Sequence, residues 1–484
     1  MKETYYITCA IPYVNGAPHL GHALEFAQTD ALARYYRAQG KDVLLQHGAD
    51  QNGSKNYKKA NELGKSPQEF VDEITASFKS IHKALNISYD RFITTTSPEH
   101  KKSAQALWKK INESGAIYKA KYEGLYCVGC ETFVTDEQAK QNGGICPNHS
   151  QPYDRLSEEN YFFKLSQYGP QIAAAIEKNE FVVNPDTRRN EILQVLRDGL
   201  DDISISRPKE KLPWGVPVPG DSDHVMYVWF DALINYLSVI GYPESPDFAK
   251  YWPAQTQFIG KDILRHHAAI WPAMLIAGGI ALPKRLHAHG FITADGQKMS
   301  KSLGNVIDPF EVINGYGGDA FRYYLLRHVP SGDDGDFSWE KFENSYNNEL
   351  ANDLGNLVQR VASMIARYQK GAISSVPDPE HDSGPYHEAM ENLQFDRALD
   401  FVFTQIQSLN QYIEQQKPWE VAKEDQLHLA EILGYLVGSL LQIANLLEPF
   451  MPTTAKIIHD SFDKEIITVP ETSLFPKIYN HTQQ

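Results

Sequence analysis

The segment "TYYITCAIPYVNGAPHLGHALEFAQTDALARYYRAQGKDVLLQHG", residues 4–48, decides the fold. Residues 4–11 have the apolar composition of a buried strand, residues 20–39 repeat apolar side chains with helical spacing, and residues 41–48 resemble a second strand in composition. A loop rich in proline and glycine joins the first strand to the helix. The pattern predicts a β-α-β unit, and such units build a parallel sheet whose ligand site lies beyond the carboxyl ends of its strands.

The loop before the predicted helix ends in "PHLGH", residues 18–22. A helix N-terminus carries unpaired N–H groups and a partial positive charge, so a polyphosphate can bind there. Gly21 permits close approach of that ligand, and His19 and His22 can donate to its oxygens. The alternative is that both histidines only cap the helix, and the motif alone leaves both interpretations open.

A second short motif, "KMSKS" at residues 298–302, places two lysines on a glycine-flanked segment. The ammonium groups of Lys298 and Lys301 can neutralise charge on a bridging phosphate and on a departing pyrophosphate. A solvated turn is the alternative for this segment taken alone. The two motifs together, one after the first strand and one after the last strand of a split α/β fold, are much more specific.

Length and composition limit the classes of function. A chain of 484 residues is too long for one compact core, so two or three domains are expected. No apolar run approaches the roughly 20 residues that span a bilayer, and the N-terminus lacks a signal segment. The net charge of −15 disfavours a broad nucleic-acid interface, although a few clustered cations can still act locally. A cytoplasmic enzyme without membrane association is predicted.

Three of the four cysteines lie in two short pairs, Cys127 with Cys130 and Cys146 with His149. This spacing supplies three thiolates and one imidazole, a typical ligand set for a structural zinc ion with a closed tetrahedral shell. The clustering also indicates a reducing compartment rather than a disulfide framework. Unrelated buried cysteines are the alternative, which the clustering disfavours.

Changes in pattern along the chain predict an α/β protein with five regions. Residues 1–117 are the first half of a nucleotide-binding domain, residues 118–214 are an insertion that carries the cysteine pairs, and residues 215–303 are the second half. Residues 304–345 are predicted as a linker or stem-contact region. Residues 346–484 repeat apolar side chains at helical spacing and predict a terminal helical bundle.

Longer stretches of the sequence carry a resemblance to a known family. They are "CAIPYVNGAPHLGHAL", "NYFFKLS", "VMYVWFDALINY", "FIGKDI", "HAHGFIT", "KMSKSLGNVIDP", "ANDLGNLVQR" and "KPWEVAK". The two short motifs resemble the signatures of class I aminoacyl-tRNA synthetases, and the longer stretches resemble the methionyl-tRNA synthetase family over essentially the whole chain. The resemblance implies a split Rossmann-like parallel-sheet catalytic domain with a zinc-bearing connective insertion, followed by an α-helical anticodon-binding bundle.

The resemblance also implies the reaction. Methionine is activated by ATP with Mg²⁺ to methionyl-adenylate and pyrophosphate, and is then transferred to tRNA(Met) with a CAU anticodon, for initiation and elongation. One structural Zn²⁺ is implied on Cys127, Cys130, Cys146 and His149. Because some relatives dimerise through an added C-terminal domain that this sequence does not show, a monomer is expected.

The resemblance assigns residues to each ligand. ATP contacts fall on His19, Gly21, His22, Lys298, Ser300 and Lys301, and the histidines and lysines of this set are the catalytic residues. Methionine contacts fall on Ala10, Ile11, Asp50, Trp229, Ala232, Tyr236, Ile263 and His267. Asp50 pairs with the substrate ammonium, and the aromatic rings surround the thioether. For Trp229 and Tyr236, core packing on one amphipathic helix is the alternative.

Anticodon contacts fall on Asn356 and Arg360, which are four residues apart on one helix, and on Trp419. These residue types can hydrogen-bond to base edges and stack on splayed bases, which is how single-stranded RNA loops are recognised. A solvated helix face and a packed tryptophan are the alternatives. Recognition there is expected to depend on few cations and on stacking.

Two departures and three alternatives accompany the resemblance. Some relatives have proline where this chain has Leu233, so the local start of the helix is expected to differ. Where many relatives have an acidic or small residue followed by histidine, this chain has Gln51 and Asn52, so the loop after Asp50 is expected to be tuned differently. The alternatives are a class I synthetase for another amino acid, a small-molecule nucleotidylyltransferase and a non-catalytic tRNA-binding paralogue. The aromatic pocket disfavours a different amino acid, and the helical region disfavours a small-molecule nucleotidylyltransferase. The intact histidines and lysines disfavour a non-catalytic paralogue.

Overall fold

The computed structural model describes residues 2–127, 132–134, 136–147, 150–299, 304–373, 375–377, 382–470 and 472–478. The strands are β1 (Thr4–Cys9), β2 (Asp42–Ala49), β3 (Arg91–Thr94), β4 (Ile117–Cys127), β5 (Thr132–Val134), β6 (Asp154–Phe163), β7 (Val182–Asn184), β8 (Ile203–Ser204), β9 (Ser206–Pro208), β10 (Pro217–Val218), β11 (Asp221–Met226), β12 (Thr256–Gly260), β13 (Arg285–His289), β14 (Ile292–Ala294) and β15 (Gly335–Phe337).

The helices run between and after these strands. They are α1 (Leu20–Ala38), α2 (Ser54–Glu62), α3 (Pro67–Ala84), α4 (Pro98–Glu113), α5 (Asp136–Gln141), α6 (Gly169–Glu177), α7 (Asp186–Asp198), α8 (Val228–Ala232), α9 (Asn235–Ser238), α10 (Pro246–Tyr251), α11 (Trp271–Ala277), α12 (Pro309–Tyr316), α13 (Gly318–Arg327), α14 (Trp339–Ser345), α15 (Asn356–Gln369), α16 (Gly384–Glu391), α17 (Phe395–Gln416), α18 (Pro418–Val421), α19 (Gln426–Leu447) and α20 (Pro452–Phe462).

Six strands form the main sheet in the order β3-β2-β1-β12-β13-β7, and every neighbouring pair is parallel. The predicted β-α-β unit is therefore confirmed as β1, α1 and β2. In its register, Ile7 of β1 lies between Leu45 of β2 and Thr256 of β12. Since β12 comes more than 200 residues later in the chain, the sheet is split as expected, and the ends of β1 and β12 meet at one edge.

One strand of the main sheet comes from an unexpected part of the chain. Strand β7 falls within residues 118–214, the predicted insertion, yet Val183 pairs with Leu286 at the edge of the main sheet. The rest of this range includes an antiparallel sheet of order β5-β4-β6-β8. Because β7 is only three residues long, hydrophobic periodicity gives it no detectable signal. The main sheet thus takes one strand from the predicted insertion, whose boundaries remain a prediction.

Both faces of the main sheet are buried. Tyr5 and Ile7 belong to one hydrophobic cluster and Tyr6 belongs to another, because successive side chains of a strand point to opposite faces. The first cluster is continuous from α1 through α13 into the helices that follow residue 346. The sheet and the C-terminal helices therefore share one core rather than meeting across a linker.

Helix α19 is the one stretch among the described residues whose length and composition would suit a membrane crossing, with a mean hydropathy of 1.5 over its apolar window. The sequence contains no uninterrupted apolar run of the roughly 20 residues that span a bilayer, and α19 comes nearest to that length. However, 61% of the window is buried inside the fold, and Leu433, Leu436 and Leu440 belong to the shared core. A helix buried in this way is typical of a bundle interior, so it is weak evidence for a membrane span.

A fully buried ion pair joins the first helix to the C-terminal helices. An Nη of Arg322 on α13 lies 2.6 Å from a carboxylate oxygen of Asp30 on α1, and both side chains have an exposed fraction of 0%. The same guanidinium donates to three carbonyl oxygens at 2.7 to 3.0 Å, those of Leu85, Pro449 and Phe450. One side chain thus ties α1, the end of α3 and the turn between α19 and α20.

The carboxylate of this pair is held in its charged form. Burial by itself would raise the pKa of Asp30, but the guanidinium groups of Arg322 and Arg34 keep that pKa below its usual range. Ser88 also donates to Asp30 through its backbone N–H at 2.7 Å and its hydroxyl at 2.6 Å. A lowered pKa in the folded state means that the pair stabilises the protein above the ordinary carboxyl pKa and loses that contribution as the pH falls.

We expect Arg322→Met to reduce the free energy of unfolding by about 3–5 kcal/mol at pH 7, because it leaves the Asp30 carboxylate buried without its main partner. The measurement is urea unfolding followed by circular dichroism. Lys456→Met is the matched control, since it removes an exposed ion pair with Asp460 and should cost less than about 1 kcal/mol. The difference in the free energy of unfolding between wild type and Arg322→Met should become smaller below about pH 4. Equal effects of the two substitutions would contradict the central role of the pair.

Candidate active site

The N-terminus of α1 is closed by a reciprocal pair of histidine contacts. His19 is the N-cap residue, and its Nδ1 accepts from the backbone N–H of His22 at 3.4 Å. Nδ1 of His22 accepts from the backbone N–H of His19 at 3.2 Å, and the two rings stack with centroids 3.7 Å apart. Because each Nδ1 is an acceptor, each neutral ring carries its proton on Nε2. The capping alternative is therefore present, and it leaves two Nε2–H donors for an anion.

Both imidazoles are uncharged at neutral pH. Desolvation lowers the pKa of His19 and lowers that of His22 well below the usual histidine range, and the nearby His289 lowers both further. Gly21 lies beside them, and a Cβ atom there would come within 3.1 Å of the His19 ring. A larger residue would thus push against the ring, which gives a physical reason for glycine at this position.

A buried carboxylate that the sequence analysis did not identify, Glu25, lies three residues after His22 on the same helix. Glu25 accepts from the backbone N–H of Ala10 at 2.6 Å and from the thiol of Cys9 at 3.2 Å. Its other oxygen lies 3.1 Å from Nε2 of His289, whose Nδ1 is 2.8 Å from the carbonyl oxygen of Gly290. Both ring nitrogens of His289 therefore face acceptors.

This geometry favours the protonated, positively charged form of His289. Burial by itself would lower its pKa, but the hydrogen bond and charge of Glu25 raise it above the usual histidine value. The two residues are 264 positions apart in sequence, so periodicity could not pair them. The motif "HAHGFIT" does indicate His289 as a site residue, since it places this histidine at the carboxyl end of β13.

The loops after β1 and β2 are fixed to each other, which brings Asp50 to the predicted site. The backbone N–H of Asp50 donates to the carbonyl oxygen of Pro12 at 2.9 Å, and its carbonyl oxygen accepts from Val14 at 3.2 Å. Asp50 is only 4% exposed, and its Oδ1 accepts from the hydroxyl of Thr95 at 3.1 Å. Ile11 lies in the same loop, half-buried, so these two predicted contacts share one edge of the sheet.

The predicted aromatic residues lie on two short helices rather than on one. Trp229 is on α8 and Tyr236 is on α9, with Leu233 and Ile234 turning the chain between them. The expectation of one amphipathic helix is therefore wrong, because the seven-residue spacing spans a break. Ala232 ends the first of these helices and is buried.

Tyr236 and His267 form a hydrogen-bonded pair. The hydroxyl of Tyr236 lies 2.7 Å from Nε2 of His267, and Nδ1 of His267 lies 3.0 Å from the carbonyl oxygen of Ile263. Since a carbonyl can only accept, Nδ1 carries the proton and Nε2 accepts from the tyrosine. Burial lowers the pKa of His267 to about 4, which agrees with a neutral ring. Three predicted methionine contacts thus lie together.

The segment His266–Ile270 that carries this histidine is a π-helix, a form found often at functional sites. His266 stacks on Trp229 with ring centroids 3.9 Å apart. Burial is the largest cause that lowers the pKa of His266 to about 3, so this stack is also uncharged. Sequence reasoning did not single out His266, which would have required knowing where α8 lies.

The lysine loop is described only in part. Lys298 is exposed, whereas Ser300 and Lys301 lie outside the described residues. The loop follows β14 rather than the last strand of the main sheet, and β14 pairs in parallel with β15. This small two-stranded sheet was not predicted, since both of its strands are three residues long.

The predicted zinc ligands are likewise described in part. Cys127 ends β4 and Cys146 precedes a turn, and both are buried. Cys130 and His149 lie outside the described residues. Within the part of the chain that the structure covers, no group of three or more potential metal ligands is present. The two buried thiols fit a thiolate-rich site, and the ligand set stays a prediction.

The predicted anticodon residues lie on two C-terminal helices. Asn356 is exposed at the start of α15, and Arg360, one turn later, is half-buried and 2.6 Å from a carboxylate oxygen of Glu414. Trp419 on α18 is half-buried against the shared core. All three side chains are therefore at least partly exposed, although the guanidinium of Arg360 is already paired with Glu414.

Comparison with known proteins agrees with this geometry. A family model described as tRNA synthetases class I (M) matches residues 5–158 and 150–362. The chain belongs to this family. The methionine–tRNA ligase of Caldanaerobacter subterraneus subsp. tengcongensis is 43% identical over 94% of this chain and 73% of its own length. That of Thermotoga maritima is 42% identical over 93% and 74%, and that of Brucella suis is 41% identical over 97% and 92%.

Solved structures show the same likeness. Mycobacterium tuberculosis methionyl-tRNA synthetase bound by methionyl-adenylate has a TM-score of 0.91 and 36% identity, with 98% of this chain and 100% of that chain covered. Its apo form has a TM-score of 0.85 and 34% identity, with 99% of each chain covered. Because the match extends over nearly the whole chain, the family assignment from the sequence is confirmed.

The charge states of three of the site histidines can be measured directly. We expect His22 and His267 to be neutral and His289 to be protonated at pH 6, because only His289 has a carboxylate partner. Nitrogen chemical shifts of ¹⁵N-histidine-labelled protein between pH 5.5 and 8 would report this.

In Glu25→Gln, the pKa of His289 should fall, since the partner charge is lost. The loss of unfolding free energy in this variant should be larger at pH 6 than at pH 9. A histidine whose pKa is raised in the folded state stabilises that state at a pH below the ordinary histidine pKa, and this contribution is lost as the pH rises above the raised pKa. A neutral His289 in the wild-type protein at pH 6 would refute the assignment.

Proposed function

We propose that this chain is a methionine–tRNA ligase. It activates L-methionine with ATP to give methionyl-adenylate and pyrophosphate, and it transfers the methionyl group to tRNA(Met). The observation that carries the proposal is the family match over nearly the whole chain, joined to two neutral histidines that present Nε2–H donors at the N-terminus of α1. A helix N-terminus of this kind suits a polyphosphate.

The first step is an attack by the methionine carboxylate on the α-phosphate of ATP, which forms the mixed anhydride and releases pyrophosphate. No covalent enzyme intermediate is needed. His19 and His22 donate to phosphate oxygens as neutral groups, and the ammonium groups of Lys298 and Lys301 stabilise the negative charge that moves onto pyrophosphate. Mg²⁺ bound with ATP would neutralise part of the triphosphate charge.

Methionine recognition uses the two sides of the pocket. The carboxylate of Asp50 pairs with the substrate ammonium, and Trp229, Tyr236 and Ile263 surround the thioether chain. Aromatic contact with sulfur is favourable, and a pocket of this kind distinguishes one methylene by only about 1–3 kcal/mol. The buried, hydrogen-bonded Tyr236 and His267 support a pocket of fixed shape.

The transfer step requires recognition of tRNA. Asn356, Arg360 and Trp419 contact the CAU anticodon through base edges and stacking, and their places on α15 and α18 support this assignment. A structural Zn²⁺ on Cys127, Cys130, Cys146 and His149 would join the segment that follows β4 to the segment that follows α5. We further propose a monomeric, cytoplasmic enzyme.

The test is amino-acid-dependent exchange of pyrophosphate into ATP, measured with each of the twenty standard amino acids, followed by charging of tRNA with a CAU anticodon. Exchange confined to methionine with charging of that tRNA is expected. Exchange with another amino acid would refute the pocket assignment, and exchange without charging would refute the tRNA assignment. No exchange by the folded protein would favour the non-catalytic paralogue.

Lys301→Ala should lower the rate of adenylate formation by roughly two orders of magnitude or more, because the lysine acts on charge that develops in the transition state. Methionine affinity should change little. Rapid-quench measurement of adenylate and calorimetric titration of methionine separate the two effects. Lys284→Ala, an exposed lysine before β13, is the control, and equal rates for the two variants would exclude the role.

Trp419→Ala should slow aminoacylation of tRNA while leaving pyrophosphate exchange unchanged, because a lost stacking platform costs about 1–3 kcal/mol per base. Steady-state charging at several tRNA concentrations measures the effect. Trp419→Phe is the matched variant, since it retains packing against the core and an aromatic face. If exchange and charging fell together in Trp419→Ala, the residue would serve folding rather than recognition.

A further inference from the structure

Three buried polar side chains lie beside the proposed methionine pocket without lining it. They are Asn52 in the loop after β2, His100 on α4 and Asp231 on α8, with exposed fractions of 2%, 0% and 0%. Polar groups at this depth are stable only with hydrogen-bond partners. Their partners therefore show which parts of the fold they connect.

Asp231 is the centre of the cluster. Its Oδ1 lies 2.6 Å from Nε2 of His100, and its Oδ2 accepts from Nδ2 of Asn52 at 2.6 Å. Each carboxylate oxygen thus has a donor from a different element of the fold. Charge-assisted hydrogen bonds of this length are among the stronger ones in proteins.

Asn52 connects the cluster to the ammonium-binding side of the pocket. Its backbone N–H donates to Oδ1 of Asp50 at 3.3 Å, and its side-chain Nδ2 also donates to the carbonyl oxygen of Thr95 at 3.1 Å. The hydroxyl of Thr95 in turn donates to Oδ1 of Asp50. The position of the Asp50 carboxylate is therefore tied to that of the Asn52 amide.

Asp231 and His100 connect the cluster to the aromatic side. Asp231 lies in α8 between Trp229 and Ala232, and Nδ1 of His100 is hydrogen bonded at 2.9 Å to the hydroxyl of Ser238 in α9. The two helices have five and four residues. Helices this short are not stable by themselves, so tertiary contacts must set their positions.

We infer that Asn52, Asp231 and His100 are positioning residues that fix the distance between the Asp50 carboxylate and the aromatic walls of the pocket. The inference rests on the proposed function, because it assigns Asp50 to the substrate ammonium. None of the three side chains touches the reacting atoms. Their effect is on how well both ends of methionine fit at once, which sets the affinity for methionine rather than for ATP.

The test is pyrophosphate exchange with separate determination of KM for methionine and for ATP. Asn52→Ala retains the backbone N–H to Asp50 but removes the amide that reaches Asp231, and His100→Leu removes the other donor. Both should raise KM for methionine about tenfold or more, because small misplacements of binding groups have effects of this size. KM for ATP should stay within about twofold.

Two further variants separate positioning from general stability. His100→Gln keeps a donor at the place of Nε2 and should restore KM for methionine to within about threefold of wild type. His287→Leu removes a different buried histidine, whose Nε2 lies 2.9 Å from the carbonyl oxygen of Ser331, and should lower thermal stability without raising KM for methionine.

Each remaining result counts against a specific claim. An unchanged KM for methionine in Asn52→Ala would overturn the positioning role, and so would an equal rise in KM for both substrates. If His100→Leu fails to fold, Asn52→Ala decides the question, because it removes a smaller part of the cluster. Absence of methionine-dependent exchange in the unmodified protein would instead refute the proposed function.

Discussion

The buried pair of Asp30 and Arg322 is the constraint on which the arrangement of the molecule depends. A paired charge in an apolar interior adds little stability compared with well-packed hydrophobic residues, but it tolerates only one geometry. Here the guanidinium has the carboxylate of α1 on one side and three carbonyl oxygens from two other segments around it. A shift of the C-terminal helices against α1 would separate this guanidinium from some of its partners, and a buried charge that loses partners is costly.

Helix α1 has ionisable side chains at three places along its length, and the charge state at each place depends on the local partners. At its N-terminus the two histidines are neutral, because desolvation lowers the pKa of both rings and outweighs the nearby Asp262 carboxylate at His19. Glu25 meets a protonated His289, and Asp30 meets Arg322. The neutral rings offer N–H donors at this end, where the helix dipole supplies the positive potential. The helix is therefore a rigid frame with its reactive end at the sheet edge.

The sequence predicts well those features that depend on local pattern. Residues 4–48 predict β1, α1 and β2 because long apolar periods and a glycine stop are local signals, and the two histidines follow at the right junction. It fails where the deciding contact is distant or the element is short. The pairing of Glu25 with His289, the strand β7 and the break between Trp229 and Tyr236 depend on tertiary packing. The roles of the pocket residues came from family resemblance, and no spacing rule would have supplied them.

The region predicted as a linker, residues 304–345, has a different physical character in the structure. Helix α13 lies within it, and Phe321, Tyr324 and Leu325 are buried in the core that joins the sheet to the C-terminal helices. Linkers that allow domain motion have few contacts across them, whereas this segment is the centre of a continuous core. The distance between the phosphate end of α1 and the face that carries Trp419 is thus set by packing.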